Sequence, residues 1–357
     1  MLTYENRNRA TGNLLRAIQF GSPAWTPCRV GLMPGTWMKH REALEELVRA
    51  HPRLWPGFKG KKDFDSTGGN PLYEPGRHTD SWGAVWENVE RGLSSLVVEE
   101  PLADWAAFDS WTPPDPMRDG HLGPREPWDE VARRMQAVRA RGGLARGGGL
   151  PHGFFFMRLW YLRGFERLML DMAADEPRLA KLIRVVEGYN VAVIGKYLEL
   201  GAEYFHFGED LGMQTSLPVS PEMWRRFVKP SYEAMFGPCR DAGAPVYLHS
   251  DGHILEIIPD LVETGVRVVN PQVRANGLDG LVEVAKGRVA IDLDLDRQLF
   301  PFATPSELDD HVGEAHEALR SDAGGLTLYA EIEPDVPLEN VEAICTALER
   351  VCNVPEP

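Results

Sequence analysis

Apolar positions along the C-terminal part of the chain follow two alternating patterns. Short runs at 203–207, 245–249, 266–270, 288–292 and 326–331 are rich in aromatic and branched residues and read as strands. Before them at 129–140, 164–174 and 177–200, between them at 221–242, 254–263, 278–285 and 305–320, and after them at 338–351, apolar side chains recur at helical spacing. Nearer the N-terminus a helix is predicted at 7–20, with Leu14, Leu15 and Ile18 on one side and Gly21 and Pro23 as its stop. A strand follows at 27–32, and a helix at 40–50. A short strand at 144–146 runs into Gly147-Gly148-Gly149. Repeated strand-then-helix units specify parallel strands with crossover helices. Segments around Val30, Val97 and Leu144 raise the strand count to eight. The expected fold is therefore α/β: a single (β/α)8 TIM barrel over residues 1–357. An open doubly wound sheet competes, but no G-x-G-x-x-G follows a strand and opens a helix.

Residues 51–127 break the alternation. They are rich in Gly, Pro, Trp and Asp, and read as loops and short strands inserted in the N-terminal half. Nine of the ten tryptophans lie between Trp25 and Trp160, which places most of them in or near this segment. They could line a pocket for a flat ligand, or simply fill the interior of an irregular segment.

A length of 357 residues is long for one domain, but α/β barrels accommodate it. The net charge of -15 argues against nucleic acid and against anionic lipid, both of which need a basic surface. A local basic pocket for an anionic small molecule remains compatible with it. The four cysteines, Cys28, Cys239, Cys345 and Cys352, show no C-x-x-C pair and no disulfide-framework spacing. With a polar N-terminus lacking an apolar signal core and no run long enough to span a bilayer, a cytoplasmic protein is expected.

In an α/β barrel, chemistry gathers at the C-terminal ends of the strands. Here those ends carry Glu209, Asp210 and Gln214; His249 and Asp251; Asn270; Asp292; and Glu331. His249 and Asp251, two apart on extended backbone, face one centre, where they could hold a divalent ion or form an acid/base pair. Of the adjacent Glu209 and Asp210 only one faces the mouth, and Asp210 is the favoured one. Arg158 lies in the aromatic run that includes Phe155 and Trp160; its guanidinium could bind a substrate carboxylate or pair with Glu166 or Asp171. His152 sits just past the third predicted strand, on the rim. Trp37, Phe155 and Trp160 are candidate apolar walls. No G-x-S-x-G elbow, P-loop or cobalamin-ligating D-x-H-x-x-G stretch is present.

Several stretches, in order, resemble the uroporphyrinogen decarboxylase superfamily: Leu162-Arg163-Gly164-Phe165-Glu166, Glu209-Asp210-Leu211-Gly212-Met213-Gln214, Ser220-Pro221-Glu222-Met223-Trp224 and His249-Ser250-Asp251-Gly252-His253-Ile254. Ile258-Pro259-Asp260-Leu261, Asp296-Arg297-Gln298 and Pro337-Leu338-Glu339-Asn340-Val341 complete the set. The resemblance implies a barrel enzyme with a small-molecule substrate, and a homodimer. It departs from the true decarboxylases at residues 31–38, which hold no arginine, and at Ala330, near the place of a late family histidine. The methyltransferase branch carries His-x-Cys where this chain has His249-x-Asp251. What the resemblance implies is thus a metal-assisted methyltransferase, corrinoid- or folate-linked. His249 and Asp251, with Glu331 or Glu209, would hold a divalent ion such as zinc, and any corrinoid would ride on a separate partner protein. A metal-free decarboxylase using Arg158 and Asp210, acting on a carboxylated small molecule or a porphyrinogen, is the first alternative. An inactive, ligand-binding barrel is the second.

Overall fold

A computed structural model describes residues 2–148, 150 and 152–356. Its strands are β1 (Cys28–Leu32), β2 (Gly76–Thr79), β3 (Val85–Asn88), β4 (Leu96–Glu99), β5 (Arg146–Gly147), β6 (Tyr204–Asp210), β7 (Val246–Asp251), β8 (Val266–Pro271), β9 (Ala290–Asp294) and β10 (Leu326–Ile332). The helices up to β6 are α1 (Arg9–Ile18), α2 (Pro34–Ala50), α3 (Trp128–Ala140), α4 (Phe156–Arg163), α5 (Phe165–Ala173) and α6 (Pro177–Glu199). Beyond it lie α7 (Pro221–Phe227), α8 (Lys229–Asp241), α9 (Ile258–Thr264), α10 (Val273–Asn276), α11 (Leu278–Val284), α12 (Pro305–Leu319) and α13 (Leu338–Val351). The chain divides into two compact units. One contains the residues up to Gly12, Arg77–Glu87 and Leu96–Asn270; the other contains Asn13–Gly76, Asn88–Ser95 and the chain from Pro271 onward.

In the first unit the strand order is β5-β6-β7-β8, with β6 parallel to both β5 and β7. β6 is buried on both faces over most of its length, as a parallel strand under helices should be. Beneath it an aromatic core forms. Phe154 lies 5.0 Å from Phe207 between ring centroids, Phe207 5.2 Å from Phe236, and Phe236 5.0 Å from Tyr232. All four are fully shielded from water. At about 2–3 kcal/mol per buried ring, this cluster is a main source of the unit's stability. Most of the tryptophan-rich insertion belongs to this unit, and here the tryptophans serve packing: Trp82, Trp86 and Trp105 are buried.

In the second unit β10 is parallel to both β1 and β9. Helix α12 opens with a capping box, in which the Thr304 hydroxyl and the Glu307 carboxylate satisfy each other's backbone N–H groups. It packs against α13 and α11.

Three expectations are corrected. Among the described residues seven strands, not eight, lie in the β5-to-β8 and β1-β10-β9 groups; the segment around Val97 instead pairs antiparallel with β3, Trp86 opposite Val97. Its residues are mostly exposed, with Leu96 73% accessible, so it lacks the two-sided burial of a barrel strand. The predicted helix 221–242 breaks at Val228, because Pro230 cannot donate into a continuous helix. Helix α2 begins at Pro34 rather than near residue 40, with a kink at Arg41 (φ 46°). No described helix is long and apolar enough to cross a membrane.

Candidate functional site

The register of β6 on β7 builds the site in the first unit. Gly208 lies opposite His249, Glu209 opposite Ser250, and Asp210 opposite Asp251. Side chains alternate along a strand, and residues paired across parallel strands share a face. His249, Asp210 and Asp251 therefore share one face, while Glu209 and Ser250 take the other. Gly208 leaves space on the first face: a Cβ there would stand 2.7 Å from His152 Cδ2. Through that gap the His152 ring comes to 5.4 Å from the His249 ring, centroid to centroid.

His152 Nε2 lies 3.0 Å from Asp210 Oδ1, and His249 Nε2 3.1 Å from Asp251 Oδ1. One ligand atom each from His152, Asp210 and His249 falls within 4.8 Å of the others. Asp210 Oδ1 is shielded from solvent, yet it makes no aligned hydrogen bond, its approach to His152 included. The Asn270 amide oxygen sits 2.7 Å from His249 Nδ1 and can only accept, so Nδ1 carries the proton and Nε2 is the ring nitrogen left to face Asp251 or a bound cation. Two imidazoles and a carboxylate converging around an unaligned, shielded oxygen fit a borderline divalent ion such as zinc. No cysteine belongs to this donor set.

Glu209 faces away from the cluster and is fully buried. Its Oε1 accepts from the backbone N–H groups of Phe155 and Phe156, the latter at 3.1 Å, and its Oε2 from Met157 N–H at 2.9 Å. It thereby caps α4, whose own N-cap position, Phe155, has no side chain able to do so. Complete burial opposes the charge, the amides favour it, and burial wins: the carboxyl is pushed up to about 7. The fold therefore holds this proton more tightly than the unfolded chain does. Stability from the group is complete below pH 4.5, its ordinary value, and is lost as pH rises through 7. The span is on the order of 3 kcal/mol. Denaturant titrations of Glu209→Gln and the native chain should diverge between pH 4.5 and 7.5, the native chain losing more; parallel profiles would refute the assignment.

The loops after β6 and β7 are stitched together. Leu211 N–H donates to Ser250 Oγ at 2.9 Å, and His253 N–H to the Met213 carbonyl at 2.7 Å. Gly212 and Gly252 meet backbone to backbone. A Cβ on Gly252, whose φ is 80°, would lie 2.2 Å from the Gly212 carbonyl oxygen, and one on Gly212 would lie 2.4 Å from His253 N.

The other residues singled out in the sequence are placed as follows. Arg158 is buried and paired with Asp80 at 2.6 Å, rather than with Glu166 or Asp171; Asp171 takes Arg163 instead, at 2.7 Å. Phe155 is in the core, Trp160 is half-buried against Phe165, and Gln214 is exposed. In the second unit, Trp37 is buried against Phe58 and Phe64. Asp292 accepts from Thr327 Oγ1 at 2.5 Å and pairs with Arg29 at 2.8 Å. Glu331 pairs with Arg297 at 2.6 Å and accepts from the Tyr329 hydroxyl at 2.6 Å.

Sequence reasoning passed over Gly208, Asp80 and Tyr161. Gly208 could have been found by pairing the two strand ends, since a glycine opposite a functional histidine marks a close approach. Tyr161 packs on Gly153, where a Cβ would come 2.7 Å from its Cε2. Burial and the Asp210 charge push its hydroxyl up, so it remains a donor at neutral pH.

Residues 96–351, more than half of the chain, match the family model described as Uroporphyrinogen decarboxylase (URO-D). No curated protein matches. Among solved structures, a methyltransferase from Methanosarcina mazei superposes with a TM-score of 0.59 at 16% identity, covering 96% of this chain and 98% of that one. Dihydropteroate synthase from Thermus thermophilus gives a TM-score of 0.33 at 18% identity, over 47% of this chain and 65% of the other.

Proposed function

The chain belongs to the uroporphyrinogen decarboxylase family, and from that premise we propose that it is a metal-assisted methyltransferase acting on a small molecule. The observation that carries this reading is the convergence of His152, Asp210 and His249 within 4.8 Å. The full-length likeness to an archaeal methyltransferase agrees with it. His152, Asp210 and His249 would hold the ion, and Asp251, 3.1 Å from His249 Nε2, stands beside them. Bound there, a divalent ion would act as a Lewis acid, lowering the pKa of a coordinated acceptor group.

The chain's own groups set that chemistry up. Asn270 fixes the His249 tautomer. Asp210 and Asp251 supply negative charge that holds a cation or takes up a proton. The Tyr161 hydroxyl, which donates to Met157 Sδ at 3.8 Å, lies within the field of the Asp210 charge. A donor set of nitrogen and oxygen favours acceptors that do not depend on a thiophilic ion. A corrinoid methyl carrier would be a separate protein, and the enzyme a homodimer. The decarboxylase alternative asks for a guanidinium free to hold a substrate carboxylate, and Arg158 is buried against Asp80.

Elemental mass spectrometry of protein purified without chelator tests the proposal; about one divalent ion per chain is expected. Asn270→Ala frees the His249 ring to turn and should weaken zinc binding ten- to a hundredfold, as loss of an orienting partner does elsewhere. A metal-free native protein that also fails to take up added zinc would sink the reading.

A further inference from the structure

We infer that Glu209 is a positioning residue: it holds the 152–157 loop on β6 and so sets His152 against Asp210. The inference rests on the reading of His152, Asp210 and His249 as the working cluster, and it gives a role to a carboxylate that does not face that cluster. Three consecutive residues of β6 grip the loop. The Gly208 carbonyl accepts from Gly153 N–H at 2.8 Å. Glu209 accepts from the amides of Phe155, Phe156 and Met157. Asp210 N–H approaches the Met157 sulfur at 3.1 Å. His152 immediately precedes the gripped segment, and the missing side chain at Gly208 is what admits its ring. Without Glu209, the first turn of α4 would have three buried N–H groups and no partner for them, a cost that favours moving the loop. Such a move displaces His152 relative to Asp210, 3.0 Å away. A helix cap with only a local structural role would leave His152 where it is.

The two roles separate in metal-free protein kept in chelator. The ring nitrogen signals of His152, assigned by their loss in His152→Gln, are followed by NMR in the native chain, in Glu209→Gln and in Asp210→Asn. Glu209→Gln should move the His152 signals toward the positions they take in Asp210→Asn, with faster hydrogen exchange at Phe155 to Met157. Signals that stay at native positions, even with the faster exchange, overturn the proposal and leave a helix cap. If Glu209→Gln does not fold, Glu209→Asp keeps the carboxyl group but cannot reach all three amides; it should displace His152 in the same sense, and an unmoved His152 overturns the proposal equally. Zinc titration of the native chain runs alongside. Failure to bind zinc counts against the metal reading alone, because the NMR comparison decides the role of Glu209 without any metal.

Discussion

On the proposed metal-assisted reading, replacing His249 by alanine is expected to abolish stoichiometric metal binding and to cut methyl transfer about a thousandfold, while the chain stays folded. In the proposed site His249 would provide the ligand nitrogen that Asn270 has already oriented, so alanine would remove the best-prepared of the three candidate ligands. Lewis-acid stabilisation by a held ion is worth several kcal/mol, and each 1.4 kcal/mol is a factor of ten in rate. The fold should survive because His249 is at a strand end, facing the cluster rather than the aromatic core. Metal content, the circular dichroism spectrum and turnover of a methyl donor, measured on one preparation, check all three statements. Unchanged metal content in His249→Ala would place the ion elsewhere; loss of fold would make the histidine structural.

The largest effect on stability is expected at Asp80. Its Oδ1 accepts from the N–H groups of Trp82 and Ala84, both at 2.9 Å, and its Oδ2 from the Trp86 indole at 3.0 Å and Arg158 at 2.6 Å. Both side chains of the ion pair are almost wholly excluded from solvent. Asp80→Ala strands a guanidinium and three N–H groups in the interior, and breaking a buried pair on one side costs about 3–5 kcal/mol. The denaturation midpoint in urea should fall accordingly. Asp80→Leu combined with Arg158→Met should recover part of the loss, since removing both charges leaves neither uncompensated. A change in Asp80→Ala below about 1 kcal/mol would show that water reaches the pair.

Much of the site follows from local pattern. The twofold period of a strand is enough to put His249 and Asp251 on one face, and to separate Glu209 from Asp210. The ends of β6 and β7 were legible because each apolar run stops at a polar cluster. What lay outside local pattern was which partner each charge would find. Arg158 and Asp80 are 78 positions apart, and nothing near Arg158 distinguishes Asp80 from the closer Glu166 and Asp171. Glu209 reads as a ligand by residue type, but its partners are backbone amides, which no sequence displays. The one clue was negative: the segment His152-Gly153-Phe154-Phe155 offers α4 no Ser, Thr, Asp or Asn as a cap. His152 read as a rim residue, and only the gap at Gly208 reveals how near it comes to His249. The segment around Val97 reads as a barrel strand in sequence because a short apolar run does not announce its partner.

The meeting of Gly212 with Gly252 has a consequence for anyone wishing to redesign this enzyme. With carbonyl and Cα atoms in direct apposition, neither position accepts a side chain, and a change of path in one loop obliges a matching change in the other. The segments 208–214 and 249–254 thus form one exchangeable cassette. Chimaeras that graft both from a single relative should keep the two loops stitched and the cluster of Asp210 and His249 in place. Those that take one from each parent should fail, and directed libraries that randomise either loop alone will be populated mainly by clashes.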